Sequence, residues 1–285
     1  MAQEAAPKAQ TKQEEAKSSD AEPKAMAKLI FEKIGANDLH ISRVGGWLES
    51  RFHFRFANWR PQDPKRRSFG KLHVLNDDIV EPKNGFGFHP HQNQEIFSYI
   101  LRGHLTHEDS EGNKETLTRG HVQYMSAGAG VWHSELNNNH KEQCRFLQTW
   151  IKPNKVNLAV QYGSYSPKYE DRHNQLFTMI SGQYADGKAN SDDDKVPIRL
   201  HQDVNVYVSE MDHGKSVRYQ LGEDRQAYLV CPEGSVQVNG QVELETRAAV
   251  RLFGPVDLHI VAKGTEKDEP GAHIMMIEMK KAVKP

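Results

Sequence analysis

The sequence predicts an all-β fold, arranged as two barrel or sandwich units in tandem. From Leu29 onward the chain is a succession of short apolar or alternating runs, each bounded by Gly, Asn, Asp or Pro. No 3.6-residue periodicity separates these runs, so regular helices are not expected between them. The runs on either side of a polar break at Gly182–Lys195 share a coarse plan, as a duplicated β-unit would.

Taken in order, RFHFRFANW (Arg51–Trp59) alternates, with Phe52, Phe54 and Phe56 on one face, and predicts a strand. FGKLHVLNDDIV (Phe69–Val80) predicts a strand that ends in a turn at Asn76-Asp77-Asp78. IFSYILRGHLTHEDSEGNKETL (Ile96–Leu117) predicts a hairpin around Ser110–Asn113. HVQYMSAGAGVWHSEL (His121–Leu136) reads as strand, glycine-rich turn, strand, and CRFLQTWI (Cys144–Ile151) as a further strand. After the break the texture resumes with NVYVSEM, SVRYQL, AYLVCPEGSVQVNGQVEL, AVRLFG, LHIVA and IMMIEM. The expected organisation is a tail over 1–28, a first unit over 29–160, a linker and loop region over 161–195, and a second unit over 196–285. The tail has only Met1 and Met26 as large apolar side chains, too little to offset ordering entropy, and is expected to be disordered.

Lys and Arg total 37 against 38 for Asp and Glu, a formal net charge of -1. That balance argues against a direct nucleic-acid or membrane-surface partner and leaves room for a protein partner. Cys144 and Cys231 stand far apart outside any CxxC, which points away from a disulfide framework and toward a reducing compartment. No apolar run approaches the ~20 residues of a membrane helix. The N-terminus lacks a signal-peptide apolar core, and its acids do not suit a mitochondrial presequence. An intracellular chain is expected, cytoplasmic first and nuclear second.

The chemistry concentrates in two short stretches. In an extended strand, residues i and i+2 share a face. His89 and His91 of FHPH therefore form a two-toothed fork, and Pro90 between them suits a strand edge. His133 and Glu135 of WHSEL form a second fork, and Gly128 and Gly130 before them allow the turn that brings it beside the first. Two such forks on neighbouring strands join three imidazoles and a carboxylate, a set suited to one divalent transition metal such as Fe, Mn, Co, Ni, Cu or Zn. An octahedral metal on four protein ligands keeps two positions open for chemistry. No His-X-His or His-X-Glu occurs in the second half.

The stretch GFGFHPHQNQEIFSYILRGHLTHEDSEGNKETLTRGHVQYMSAGAGVWHSELN closely resembles the first-cupin signature of the pirin family, which includes quercetin-dioxygenase-like members. Weaker similarity extends the resemblance over roughly residues 38–280. It implies two stacked cupin barrels in a monomer with one metal, Fe(II) first, in the N-terminal barrel. The implied ligands fall on His89, His91, His133 and Glu135. The implied activity is oxygenative cleavage of a flavonol-like aromatic by O2 with loss of carbon monoxide. The family's alternative role is a non-catalytic, iron-dependent redox sensor and transcriptional co-regulator acting through protein partners.

Glu95, which completes a His-X-His-X3-Glu pattern, is expected to orient a histidine or substrate, or to act as a base together with Glu135. His121 replaces the acid usual after the turn glycine. Arg247 and Ala248 stand where the family often has Gly-Asp, so the corresponding turn in the second barrel is expected to be lost along with a metal site. His104 and His107 read as partly exposed residues bonding loop backbone. Phe86, Phe88, Phe97, Tyr99, Met125 and Trp132 read as barrel core, with the lining of an aromatic-binding cavity as the alternative.

Overall fold

A computed structural model describes residues 31–182, 196, 198–265 and 270–281. The expected tail, and nearly all of the polar break, lie outside the described residues. The first strand is β1 (Glu32–Ile34). There follow β2 (His40–Val44), β3 (Leu48–Phe52), β4 (Leu72–Val80), β5 (Asn84–His91) and β6 (Glu95–Arg102). Next come β7 (His104–Asp109), β8 (Lys114–Thr118), β9 (Val122–Ser126), β10 (Val131–Asn137), β11 (Cys144–Ile151) and β12 (Gln161–Tyr165). The second half supplies β13 (Phe177–Gly182), β14 (Arg199–Leu200), β15 (Val204–Met211), β16 (Ser216–Leu221) and β17 (Arg225–Gly234). It ends with β18 (Val236–Val238), β19 (Val242–Leu244), β20 (Ala249–Phe253), β21 (Val256–Ala262) and β22 (Ala272–Lys280).

Each half folds as a cupin-type barrel of two facing sheets. The first pairs a seven-stranded sheet, β12-β9-β6-β11-β4-β3-β2, with the four-stranded β5-β10-β7-β8. The second pairs β1-β20-β17-β22-β15-β13-β14 with β16-β21-β18-β19. The chain exchanges material between halves, since β1 pairs with β20 of the second barrel. The 161–195 region, expected as linker, contributes β12 to the first large sheet and β13 to the second. Among the described residues no helix is long and apolar enough to cross a membrane.

The two large sheets pack outer face against outer face. One continuous core joins Phe97, Tyr99 and Leu147 of the first barrel to Val206, Tyr228 and Ile277 of the second. This explains why β6 and β11 read as almost unbroken apolar runs: both faces are covered, one by the barrel interior and one by the other barrel. Ile100 and Phe146 face inward with Leu105 and Leu117, while Phe97, Tyr99 and Leu147 face the partner barrel. A fully buried side chain of this size stabilises the fold by about 1.5–3 kcal/mol.

Three local expectations are corrected. Asn76-Asp77-Asp78 does not form a turn but lies buried inside β4, which runs on to Val80. Polar partners make this tolerable. Asp77 accepts from Arg145 Nε at 2.8 Å and Nη2 at 2.6 Å, and from Arg247 Nε at 3.0 Å, while Asp78 accepts from Ser50. The strand expected through Trp59 ends at Phe52, because Arg66 takes up the backbone carbonyls of Phe52 and His53 that a partner strand would otherwise use. Phe54 then turns into the inter-barrel core beside Tyr228. The turn before β20 is retained: Arg247 itself takes the left-handed conformation, φ +72°, that a glycine would occupy at less cost.

Asp77, Arg145 and Arg247 join the barrels, and Arg145 also donates to the Pro232 carbonyl at 2.8 Å. Asp77→Ala leaves Arg145 buried without its carboxylate, so urea unfolding is expected to show a loss of about 3–5 kcal/mol. A loss under about 1 kcal/mol would mean that this buried pair contributes no more than a surface one.

Candidate metal centre and its cavity

In the four-stranded sheet of the first barrel, β5 and β10 run antiparallel, with His133 opposite His89 and Val131 opposite His91. The two-residue strand period turns all three histidine rings to the barrel interior, while Phe88 and Trp132 stay exposed on the outer face. Ring centroids of His89–His91, His89–His133 and His91–His133 lie 4.8, 4.5 and 4.9 Å apart. One donor atom from each of the three lies within 4.8 Å of the others. Burial lowers His91 and His133 to about 3, assisted by the neighbouring imidazoles, so both rings are neutral at pH 7. Neutral imidazoles converging on one point fit a borderline divalent metal. Gly128, at φ +42°, carries the chain from β9 in one sheet to β10 in the other, and a Cβ there would collide with the Leu158 carbonyl.

Glu135 sits on β10 two residues beyond His133, but the register shifts between them, so that Glu135 stands opposite Phe86. Its carboxylate accepts from Ser98 Oγ and Gln148 Nε2, each at 2.6 Å, and from Gln123 Nε2 at 2.5 Å. These donors form a polar row across the large sheet: Asn76 pairs with Gln148, Gln148 with Ser98, and Ser98 with Gln123. Glu135 shares a cavity with His89 and His91 but is not in the tight three-histidine group. The row went unread in the sequence. Its signal was a single polar residue on the inward register of otherwise apolar runs, Gln123 in VQYMS and Gln148 in CRFLQTWI.

Glu95 is elsewhere, and the role expected for it at the metal is corrected. It is three residues from Ser98 on β6, hence on the opposite face of the sheet. Fully buried between the barrels, it accepts from Tyr124 Oη at 2.6 Å, Ser126 Oγ at 2.7 Å and the His201 backbone N–H at 3.1 Å. It ties the barrels together and faces away from the three histidines.

His107 also departs from expectation. It is fully buried, stacked on Tyr162 with centroids 4.6 Å apart, and its Nδ1 lies 3.4 Å from His133 Nδ1. Its Nε2 lies 3.4 Å from Asp109, whose carboxylate is fixed by the Glu111 and Asn113 amides. The chain Asp109–His107–His133 backs one imidazole of the group, the kind of outer contact that sets a ligand's tautomer and ring orientation. His104, by contrast, is exposed.

His89, His91 and Glu135 open onto a cavity of about 260 Å³, just under the roughly 300–1,000 Å³ of small-molecule sites. Trp47, Phe52, Phe56, Phe86 and Trp150 supply its aromatic wall. Phe86 is thus the one member of the sequence-derived aromatic set to line it. Phe97 and Tyr99 belong to the inter-barrel core, Met125 packs inside the first barrel, and Phe88 and Trp132 face solvent. Asp78 lines the cavity with Ser50 as its hydrogen-bond partner, and burial pushes its carboxyl up to about 8.

An all-β chain of two cupin barrels, with a three-histidine group in the first, is a bicupin with a candidate metal site. Comparison with known proteins makes the assignment specific. The Pirin family profile matches residues 37–151, and the profile of the quercetinase C-terminal cupin domain matches residues 189–279. A pirin-like protein of Caulobacter vibrioides is 39% identical over 217 residues, covering 76% of this chain and 86% of that protein. Quercetin 2,3-dioxygenase of Escherichia coli K12 is 35% identical over 195 residues, covering 68% of this chain and 78% of that protein. The crystal structure of E. coli YhhW superposes with a TM-score of 0.77 at 27% identity, over 90% of this chain and all of that one. The same bacterial pirin in complex with nickel(II) gives 0.76 at 28% identity, over 89% of this chain and all of that one. The chain belongs to the pirin family.

Asp78 yields a pH test. The unfolded chain ionises it near its ordinary 3.8, whereas the folded chain holds the proton to about 8. Wild type therefore loses stability relative to Asp78→Asn as pH rises between these values, and the difference levels off above about 8. Urea unfolding with a chelator present, at about pH 5 and about pH 8, is expected to show Asp78→Asn gaining on wild type. An equal gap at both would place the Asp78 carboxyl in an ordinary environment.

Proposed function

We propose that this chain is a metal-dependent dioxygenase of the quercetin 2,3-dioxygenase type, cleaving a flavonol-like aromatic with O2. His89, His91 and His133 would hold one divalent transition metal with Glu135 as the carboxylate ligand. Fe(II) is the first assignment, and Ni, Mn, Co, Cu and Zn suit the same donors. When bound, the metal supplies a Lewis acid that favours the ionised form of the substrate's enol hydroxyl and a template that keeps it near O2. Both oxygen atoms enter the product and one ring carbon leaves as carbon monoxide.

The reading rests above all on the aromatic cavity that opens directly onto His89, His91 and Glu135. Trp47, Phe52 and Phe86 offer ring faces to a flat substrate and keep water from it. Glu135 would accept the enol proton, with Ser98, Gln123 and Gln148 holding its oxygens in place. Asp109 and His107 would keep the far nitrogen of His133 occupied so that its other nitrogen faces the cavity.

A second reading has its own observation. Phe88 and Trp132, 53% and 52% exposed, stand on the outer face directly behind the histidines. Large apolar groups in that position would suit a protein partner, and so a non-catalytic, iron-dependent redox sensor that acts as a transcriptional co-regulator.

Oxygen uptake on adding quercetin, followed with protein loaded separately with Fe(II), Ni(II), Mn(II), Co(II) or Cu(II), separates the two. Metal-dependent uptake that is lost in His133→Ala is the expected result. Stoichiometric metal binding without uptake for any metal would overturn the enzyme reading in favour of the sensor.

A further inference from the structure

The three histidines are not held alike. The outer nitrogen of His89, Nδ1, donates to the Gly87 carbonyl at 2.7 Å, which fixes its proton there and leaves Nε2 facing His133 Nε2 at 3.1 Å. The outer nitrogen of His133 lies against His107. Among the described residues His91 has ring contacts only. Beyond His89 and His133 it packs against Trp150, with centroids 4.8 Å apart and planes at 82°. It is also the last residue of β5, the edge strand of its sheet, so β10 alone braces its backbone.

Trp150 comes from the facing sheet. On β11, between β4 and β6, it has Val74 and Ile96 as register partners, so its backbone is fixed on both sides. Its indole is wedged in turn by Phe56, edge to face at 5.4 Å, and by His73 at 6.3 Å. Of the other described cavity rings, Phe86 comes nearest a histidine of the group, 6.4 Å from His89. Edge-to-face ring pairs are favoured beyond the area they bury. An imidazole that is free to turn must give up rotamer freedom on ligation, whereas one braced beforehand has already lost it. We infer that Trp150 is a positioning residue for the metal site: its indole, packed on the His91 ring, keeps that imidazole aimed where His89 and His133 converge. The indole does for His91 what polar contacts do for the other two. This inference rests on the metal reading of the three histidines and adds the residue that holds the least anchored of them.

Two measurements test it, the first without metal. Nuclear magnetic resonance relaxation of the histidine rings in the metal-free full chain is expected to find His91 as rigid as His89. The same is expected in Trp150→Phe, which keeps a ring. In Trp150→Leu, which keeps apolar bulk without a ring, His91 is expected to become mobile while His89 and His133 stay rigid. A His91 ring already mobile in metal-free wild type overturns the inference without any variant. The second measurement is titration with Cu(II), followed by electron spin echo spectroscopy, which counts bound imidazoles. Wild type and Trp150→Phe are expected to bind one equivalent through three imidazoles, with affinities within about threefold of each other. Trp150→Leu is expected to bind about tenfold or more weakly, the scale for losing a ligand's outer support, and to show two imidazoles. Trp47→Leu, on the same cavity, is the control and is expected to keep the wild-type affinity and count. Unchanged affinity and count in Trp150→Leu, or equal losses in Trp47→Leu, overturns the positioning role. A wild type with a rigid His91 that binds no Cu(II) overturns the metal reading itself, with the ring packing intact.

Discussion

Strands β4, β6 and β11 of the first barrel's large sheet are covered on both faces, and the polar row that holds Glu135 follows from that constraint. A strand alternates its side chains regardless of what covers it. On β4, β6 and β11 each successive residue therefore belongs either to the cavity or to the inter-barrel core. Ser98 and Gln148 fall inward and hold Glu135, whereas Glu95 and Arg145 fall outward and join the barrels. Asp77 and Asp78, adjacent in sequence, have opposite fates for the same reason. One is an ion-paired tie between barrels and the other an uncharged group in the cavity wall. A slip of one residue in β4 would exchange them, exposing Arg145 to an empty partner position and placing a paired carboxylate in the cavity.

The small sheet meets the opposite condition, with one face on the cavity and one toward solvent. There the alternation was open to inspection. His89, His91 and His133 come together as strand period and adjacency suggest, whereas Glu135, beyond a register shift in β10, shares the cavity without joining their group. The fold class was legible for the same reason, since turn residues at short intervals leave no length for helices. The strand at Cys144–Ile151 emerges with the bounds the sequence suggests, while the hairpin around Ser110–Asn113 is shorter than the expected Ile96–Leu117: its first arm breaks at Gly103 into β6 and β7, which lie in different sheets.

What stayed hidden was whatever depends on which covering lies over which face. Glu95 was expected to orient a histidine or substrate because it completes a His-X-His-X3-Glu pattern; three residues before the cavity-facing Ser98, it points to the other side of the sheet. NDD looked like a turn because unpaired carboxylates do not belong in a strand. The arginines that pair with Asp77 lie about 70 and 170 residues away. His107 looked like a loop residue, although it lies inside β7, with Asp109 two residues along the same strand and Tyr162 of β12 stacked on its ring. Distant partners decided the burial of Asp77, and strand alternation with a second covering barrel decided the direction of Glu95.

The proposed chemistry requires that the three imidazoles and Glu135 hold a single metal. The most direct measurement is metal content, together with X-ray absorption at the metal edge, on protein reconstituted with one transition metal at a time. The expected result is one equivalent per chain, bound by three imidazole nitrogens and carboxylate oxygen, and loss of bound metal in His91→Ala with the fold retained by circular dichroism. Stoichiometric metal with an unchanged shell in both His91→Ala and Glu135→Ala would contradict it.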